Sequence, residues 1–179
     1  GSLKNPIYDC EMNILATLNL LNTAQKTGCR SFVAASSNAC VGEVKTPFDE
    51  ESLPRPVSFY GASKLSMENY IRVFNASSSM NATALRFSNV YGPMSSKKGS
   101  VVSAFLKSAL AFKTLKIEGD GLQTRDFIHV TDICKALLSA ITFADSKEHA
   151  KFCIGTGREE SILNLAYLVK NLVLDRLGT

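Results

Sequence analysis

Tyrosine and lysine four residues apart, in Tyr60-Gly61-Ala62-Ser63-Lys64, are the side chains of this sequence best suited to acid–base chemistry. At that spacing they share one helical face, and Tyr60, Lys64, Met67, Ile71 and Phe74 form a single stripe. Lysine on an otherwise inward stripe is unusual, because an unpaired buried ammonium is costly. A phenol has an ordinary pKa of about 10 and is a poor base at neutral pH. A neighbouring ammonium favours the phenolate. Bringing the phenol near pH 7 takes roughly 4 kcal/mol, more than one lysine supplies, so a second positive charge is needed. With an oxidised nicotinamide in that role, the tyrosine would take a proton from an alcohol while hydride leaves its carbon. Ser37, upstream, could hydrogen-bond the same oxygen as it becomes a carbonyl. The plainer reading is a lysine snorkelling from a helix end beside a packing tyrosine. The pair alone does not separate the two.

The elements that must position these residues follow from periodicity. Residues 8–27 carry Met12, Ile14, Leu15, Leu18, Leu21 and Ala24 at helical spacing, with Gly28 at a C-terminal cap. Phe32-Val33-Ala34-Ala35 suits a buried parallel strand, ending in Ser36-Ser37-Asn38. Residues 43–58 read as loop, 59–75 as helix and 83–87 as a second strand ending in Ser88-Asn89. Strand, helix and strand in this order predict an α/β fold with a parallel sheet. Ligands of such sheets gather beyond the carboxyl ends of the strands, where both polar clusters fall. After Pro93 the pattern is less regular, as in a substrate-binding lobe. It predicts a helix at 101–112, a strand at 115–117, a Gly119-Asp120-Gly121 turn and a strand at 127–130. Asp132 is expected to cap a helix at 133–143, a strand follows at 152–154, and Ser161 caps a closing helix to about 174.

Composition narrows the function classes. The chain has 179 residues, 45% hydrophobic, with 20 Lys+Arg against 16 Asp+Glu. That mixture excludes a disordered chain. The net charge of +4 is spread out and leaves no footprint for nucleic acid. No apolar run is long enough to cross a membrane. The cysteines (Cys10, Cys29, Cys40, Cys134, Cys153) show no CxxC spacing, so neither a metal site nor a disulfide framework is expected. With no signal peptide in view, the expected location is cytoplasmic.

Four segments occur in order at familiar spacings: Ser36-Ser37-Asn38, the Tyr60/Lys64 pair, the run from Ala84 to Pro93, and the run from Gly119 to Val130. Together they resemble the extended short-chain dehydrogenase/reductases, specifically the NAD-dependent nucleotide-sugar epimerase/dehydratase family, from about Asn5 to Leu172. The resemblance implies a Rossmann-type parallel sheet with a smaller mixed α/β lobe. Residues 1–92 would be the carboxyl half of the NAD-binding domain, 93–179 mainly the substrate lobe, and 127–145 would return to the first domain. It implies NAD as cofactor, a nucleotide sugar (a UDP-hexose) as substrate, and a homodimer joined through helices 8–27 and 59–75. Tyr60 would be the base, Lys64 would hold the nicotinamide ribose and lower the tyrosine pKa, and Ser37 would bind the reacting hydroxyl. Asn13, Ser36 and Ser88 would line the cofactor. Asn89 and Arg125 would contact the substrate diphosphate, guanidinium being suited to phosphate oxygens. The alternatives are a turn-forming Asn89 and an Arg125 paired with Asp126.

Within the family, 4,6-dehydratases carry acidic residues directly after the Ser37 position, and decarboxylases usually keep a glutamate two residues on. Here those positions are Asn38 and Ala39, neither an acid nor a base. The expectation is therefore a 4-epimerase of the UDP-glucose/UDP-galactose type. A dehydratase, decarboxylase or reductase of the same family, or a non-enzymatic interaction protein, is the alternative. No G-x-G-x-x-G follows a strand anywhere in the sequence. The chain is thus expected to be the middle and carboxyl parts of a longer enzyme, binding NAD poorly and turning over little by itself.

Overall fold

The computed structural model describes residues 3–97, 99–142 and 150–177. Its contacts divide the chain into two units, Gly1–Phe87 with Cys134–Ile154, and Ser88–Ile133 with Gly155–Thr179. Among the described residues no helix is long and apolar enough to cross a membrane.

The first unit opens with a helical stretch. Asn5 caps α1 (Pro6–Cys10) by accepting the Tyr8 N–H, and Pro6 takes the first-turn position that needs no donor. A π-helical turn, Glu11–Leu15, leads into α2 (Ala16–Lys26). Gly28 ends it with a positive φ of 72°, as the sequence predicts, and the Cys29 N–H returns to the Ala24 carbonyl. Strand β1 (Ser31–Ser37) follows, then a 3₁₀ turn (Asn38–Cys40), a long loop, α3 (Phe59–Ser77) and β2 (Asn81–Phe87). The strands run parallel, Ser31 opposite Asn81 through Ser37 opposite Phe87, so α3 is the crossover between them. A third parallel strand, labelled β6 in chain order (Lys151–Ile154), pairs with β2, giving the order β1-β2-β6.

The predicted stripe on α3 does bury. Met67 and Ile71 pack with Leu21, Met80, Ala82 and Ala84, and Phe74 lies against that cluster. The strands differ from one another: β2 is buried through its centre, whereas β1, expected to be buried, is only half-buried at Phe32, Val33 and Ala34. It lies at the edge of the sheet.

Deep in this unit is a group the apolar pattern hides. Arg86, in the middle of Ala84-Leu85-Arg86-Phe87, is 1% exposed and forms a bidentate ion pair with Glu68 of α3, which is 5% exposed. Nη2 to Oε2 is 2.7 Å, and Nε lies 3.0 and 3.1 Å from the two carboxylate oxygens.

In the second unit β3 (Asn89–Tyr91) pairs in parallel with β5 (Phe127–His129), and β4 (Thr124–Arg125) pairs antiparallel with β7 (Glu160–Ser161). Helix α4 (Val101–Leu110) packs against α6 (Ile162–Leu177) through Phe105, Ile162, Ala166 and Val169. Several expectations change here. Residues 115–117 form no strand; Leu115 and Ile117 insert into that cluster instead. Helix α4 stops at Leu110 because Phe112 takes the left-handed conformation (φ 52°) and the Lys113 N–H bonds back to Ser108. Helix α5 (Val130–Thr142) begins before Asp132, so that residue lies inside the first turn. The acceptor preceding the turn is His129 Nδ1, which takes the Thr131 N–H at 3.3 Å. The expected last residue of this helix, 143, lies outside the described residues. Ser161 caps α6 as predicted, accepting from Asn164 N–H at 3.1 Å.

Two stability predictions follow from the first unit. Arg86→Leu alone strands a buried carboxylate and should lower unfolding free energy by about 3–5 kcal/mol in chemical denaturation. The double substitution Glu68→Leu/Arg86→Met should recover most of that loss. Gly61 of α3 passes so close to the 3₁₀ turn that an added methyl would strike the Ala39 carbonyl oxygen. Gly61→Ala should therefore cost about 1–3 kcal/mol, against the gain an alanine usually brings to a helix.

Candidate active site

The carboxyl end of β1 and the amino end of α3 meet at one place. Ser58 starts α3 by accepting the Gly61 N–H at 3.0 Å, which puts Tyr60 and Lys64 in the first two turns. Ser37 is the last residue of β1 and caps the 3₁₀ turn, its Oγ accepting from the Ala39 N–H at 3.2 Å. The structure brings Ser37, Tyr60 and Lys64 together. Ser37 hydrogen-bonds the Tyr60 side chain. Lys64 Nζ donates to the Ala35 carbonyl at 2.8 Å and sits 5.8 Å from the Tyr60 ring centre.

The electrostatics run opposite to one expectation. Burial pushes the Tyr60 phenol above its ordinary pKa, and the hydrogen bond from Ser37 only partly offsets it, with the Asp9 carboxylate adding to the rise. The net direction of the phenol is therefore upward, with burial outweighing what lowers it. Lys64 itself is held below the usual lysine range by burial, which the negative charges of Asp9 and Glu68 counter. Both groups are half-buried. Desolvation favours the uncharged form of each, against a Coulomb attraction screened over that separation.

Two further residues of the first unit have side-chain partners within it. Asn13 sits in the π-helical turn, and its Nδ2 donates to Ser63 Oγ at 3.0 Å. Ser63 in turn donates to Asp9 Oδ2 at 2.6 Å, clamping the turn of α3 between Tyr60 and Lys64. Ser36, expected to line the cofactor, points its hydroxyl into the core, where it donates to Glu68 Oε1 at 2.5 Å and is 3% exposed. A hydroxyl satisfying a buried carboxylate is not available to a ligand; what Ser36 can offer is main chain. Cys40 completes this layer, with Sγ 3.2 Å from Glu68 Oε1 and 2.8 Å from the Ser37 carbonyl. Burial beside Glu68 pushes its pKa up to about 12, so it is a neutral S–H donor at physiological pH.

Ser88, Asn89 and Arg125 belong to the second unit. Asn89 begins β3 and its N–H bonds to the Asp126 carbonyl at 2.9 Å. Arg125, exposed on β4, donates to the Thr124 carbonyl at 2.6 Å. Asp126 is not its partner. That carboxylate instead accepts from the Thr156 N–H, the Thr156 hydroxyl and the Gly157 N–H at 2.8–3.0 Å. Gly155 fits because it has no side chain: a methyl there would lie 2.5 Å from Asp126 Oδ2 and 2.7 Å from Ser88 Oγ. One aspartate thus holds the Gly155-Thr156-Gly157 turn beside Ser88 and Asn89.

Sequence reasoning missed Asp9, Glu68 and the role of Asp126. Glu68 carried a signal: it lies one turn beyond Lys64 on the same inward face, and Arg86 interrupts an otherwise apolar strand.

A half-buried phenol and ammonium beyond the carboxyl end of a parallel strand suit a nicotinamide ribose in their donor chemistry and position. Comparisons with known proteins give the family. Residues 1–155 match the NAD dependent epimerase/dehydratase family. A putative UDP-glucose 4-epimerase of Methanocaldococcus jannaschii is 38% identical over 175 residues, 96% of this chain and 56% of that protein. The UDP-glucose 4-epimerase of Thermotoga maritima, solved with UDP-glucose, superposes with a TM-score of 0.89 at 33% identity, covering 96% of this chain and 56% of that one. A UDP-N-acetylglucosamine 4-epimerase from Methanobrevibacter ruminantium, in complex with UDP-N-acetylmuramic acid, gives 0.87 at 31% identity, covering 100% and 57%. The chain spans about half the length of the curated relatives it matches. On these residues, this sheet and this likeness, the chain belongs to the NAD dependent epimerase/dehydratase family, with its Rossmann-like α/β fold.

Proposed function

We infer that this chain carries the acid–base centre of a cytoplasmic nucleotide-sugar 4-epimerase of the UDP-glucose/UDP-galactose type. The observation that carries the reading is the meeting of Ser37, Tyr60 and Lys64 with Asn38 and Ala39 directly behind the serine. A dehydration would need a further acid and base there, and an amide and a methyl are neither. The UDP-glucose 4-epimerases among the relatives favour the UDP-hexose substrate, and the UDP-N-acetylglucosamine enzyme keeps an N-acetylhexosamine as the second reading.

In this mechanism Tyr60 takes the proton of the sugar 4-hydroxyl, and Ser37 hydrogen-bonds that oxygen as it becomes a carbonyl. NAD, when bound, would supply the hydride acceptor and donor for C4. Tyr60 then gives its proton back, so no net proton is consumed. Lys64, Asn13, the main chain at Ser36, and Ser88 are the residues that would hold the cofactor, and Asn89 and Arg125 would hold the substrate diphosphate. The raised phenol and lowered ammonium mean that Tyr60 needs added positive charge before it serves as base, which a nicotinamide cation would supply. The glycine-rich turn that cradles a dinucleotide diphosphate is not among these 179 residues. We therefore expect weak NAD binding by this chain alone; tight stoichiometric binding in calorimetry would contradict that. Exposed Tyr8, Met12, Leu15, Leu20, Tyr70 and Val73 on the first helices and α3 are consistent with a homodimer.

In the full-length protein, Tyr60→Phe should lower kcat for UDP-glucose/UDP-galactose interconversion by about 10²–10⁴-fold. UDP-N-acetylglucosamine assayed in parallel separates the two substrate readings, and a 4-keto-6-deoxy product would overturn both. In the cofactor-free chain Ser37→Ala should move the Tyr60 titration, followed by ultraviolet absorbance, to still higher pH, since Ser37 supplies the hydrogen bond that lowers it.

A further inference from the structure

The chemistry above uses Ser37, Tyr60 and Lys64 and leaves a buried carboxylate one helical turn beyond the lysine unaccounted for. Glu68 lies on the same face of α3 and is almost wholly removed from solvent. Such a group is strongly unfavourable unless compensated. Compensation comes from three other elements: Ser36 of β1, Cys40 of the 3₁₀ turn, and Arg86 of β2 through both Nε and Nη2. Two of these donors are tied to the reacting serine. Ser36 precedes it in the chain, and Cys40 Sγ also reaches the Ser37 carbonyl.

We propose that Glu68 is a positioning residue: its carboxylate locks the register of α3 against β1 and β2, and so sets Tyr60 and Lys64 against Ser37. The proposal rests on the reading of those three residues given above. Residues 60, 64 and 68 span about two turns of one helix. A rigid rod carries a displacement at Glu68 to Tyr60, and about 1 Å of misplacement is enough to cost much of an enzyme's rate. Charge reinforces the geometry. The carboxylates of Asp9 of α1 and of Glu68 itself face Lys64, as does the neutral thiol of Cys40 in the turn. Cys40 and Arg86 face Glu68. Beyond Arg86 lies Cys153 of β6, whose backbone N–H bonds to Glu50.

The test uses Glu68→Gln, Glu68→Asp and the double variant Glu68→Leu/Arg86→Met, which refills the volume without charge and keeps the experiment decisive if a single variant fails to fold. The Lys64 side chain is titrated by NMR in this chain, and steady-state kinetics are measured on the full-length protein. In Glu68→Gln and the double variant, Lys64 should lose its proton at a pH lower by about half a unit or more. In both, kcat should fall about tenfold or more while KM stays within about twofold. Glu68→Asp should restore the Lys64 titration without restoring full kcat. A folded double variant with wild-type titration and wild-type kcat overturns the proposal, and so does a moved titration with kcat unchanged. Tyr60→Phe tells the two failures apart: full turnover in that variant sinks the epimerase reading, and the Lys64 titration then decides the Glu68 proposal by itself.

Discussion

One carboxylate buried among three elements is the constraint from which the first unit is organised. Glu68 cannot sit in the interior unpaired, and its partners arrive from both neighbouring strands and from the turn after β1. Satisfying it fixes how far α3 lies along the sheet and how it is rotated. The apolar contacts of Met67 and Ile71 with Leu21 and Met80 provide the burial, but they would tolerate small slips that a bidentate ion pair does not. Gly61 closes the remaining gap by letting the helix touch the Ala39 carbonyl. The end of β1 and the start of α3 therefore meet in one arrangement, with Ser37 and Tyr60 in hydrogen-bond contact.

That arrangement carries an electrostatic cost at the proposed site. Tyr60 is raised and Lys64 lowered because both have given up water, and the attraction between their charged forms does not restore the balance. Both groups are pushed towards their neutral forms. Asp9, linked to α3 through Ser63, contributes a negative charge that favours the ammonium and opposes the phenolate. Burial sets both directions, and the carboxylate of Asp9 reinforces the one and opposes the other.

The second unit uses the same device with a different residue. Asp126 receives three hydrogen bonds from Thr156 and Gly157 and offers its carbonyl to Asn89, so two short ladders and a glycine turn are drawn around one side chain. Strands of two or three residues have few ladder bonds of their own. Side-chain anchoring of this kind is what gives such pieces a defined shape.

The crossover of strand, long helix and strand was legible because its apolar period is strong, and Gly28 marks the end of the helix that precedes it. The Tyr60/Lys64 face was legible for the same reason: helical spacing is a local property. The strand at 115–117 and the cap at Asp132 were misread because short elements are decided by partners rather than by period. Leu115 and Ile117 found a hydrophobic cluster, and His129 took the cap. Sequence by itself determined which residue types could exchange a proton and which family the chain resembles. Only the tertiary structure decided the hydroxyl of Ser36, the burial of Arg86 and Glu68, and the direction in which Tyr60 and Lys64 are pushed. Desolvation and ion pairing depend on what lies across space, and no spacing along the chain records that.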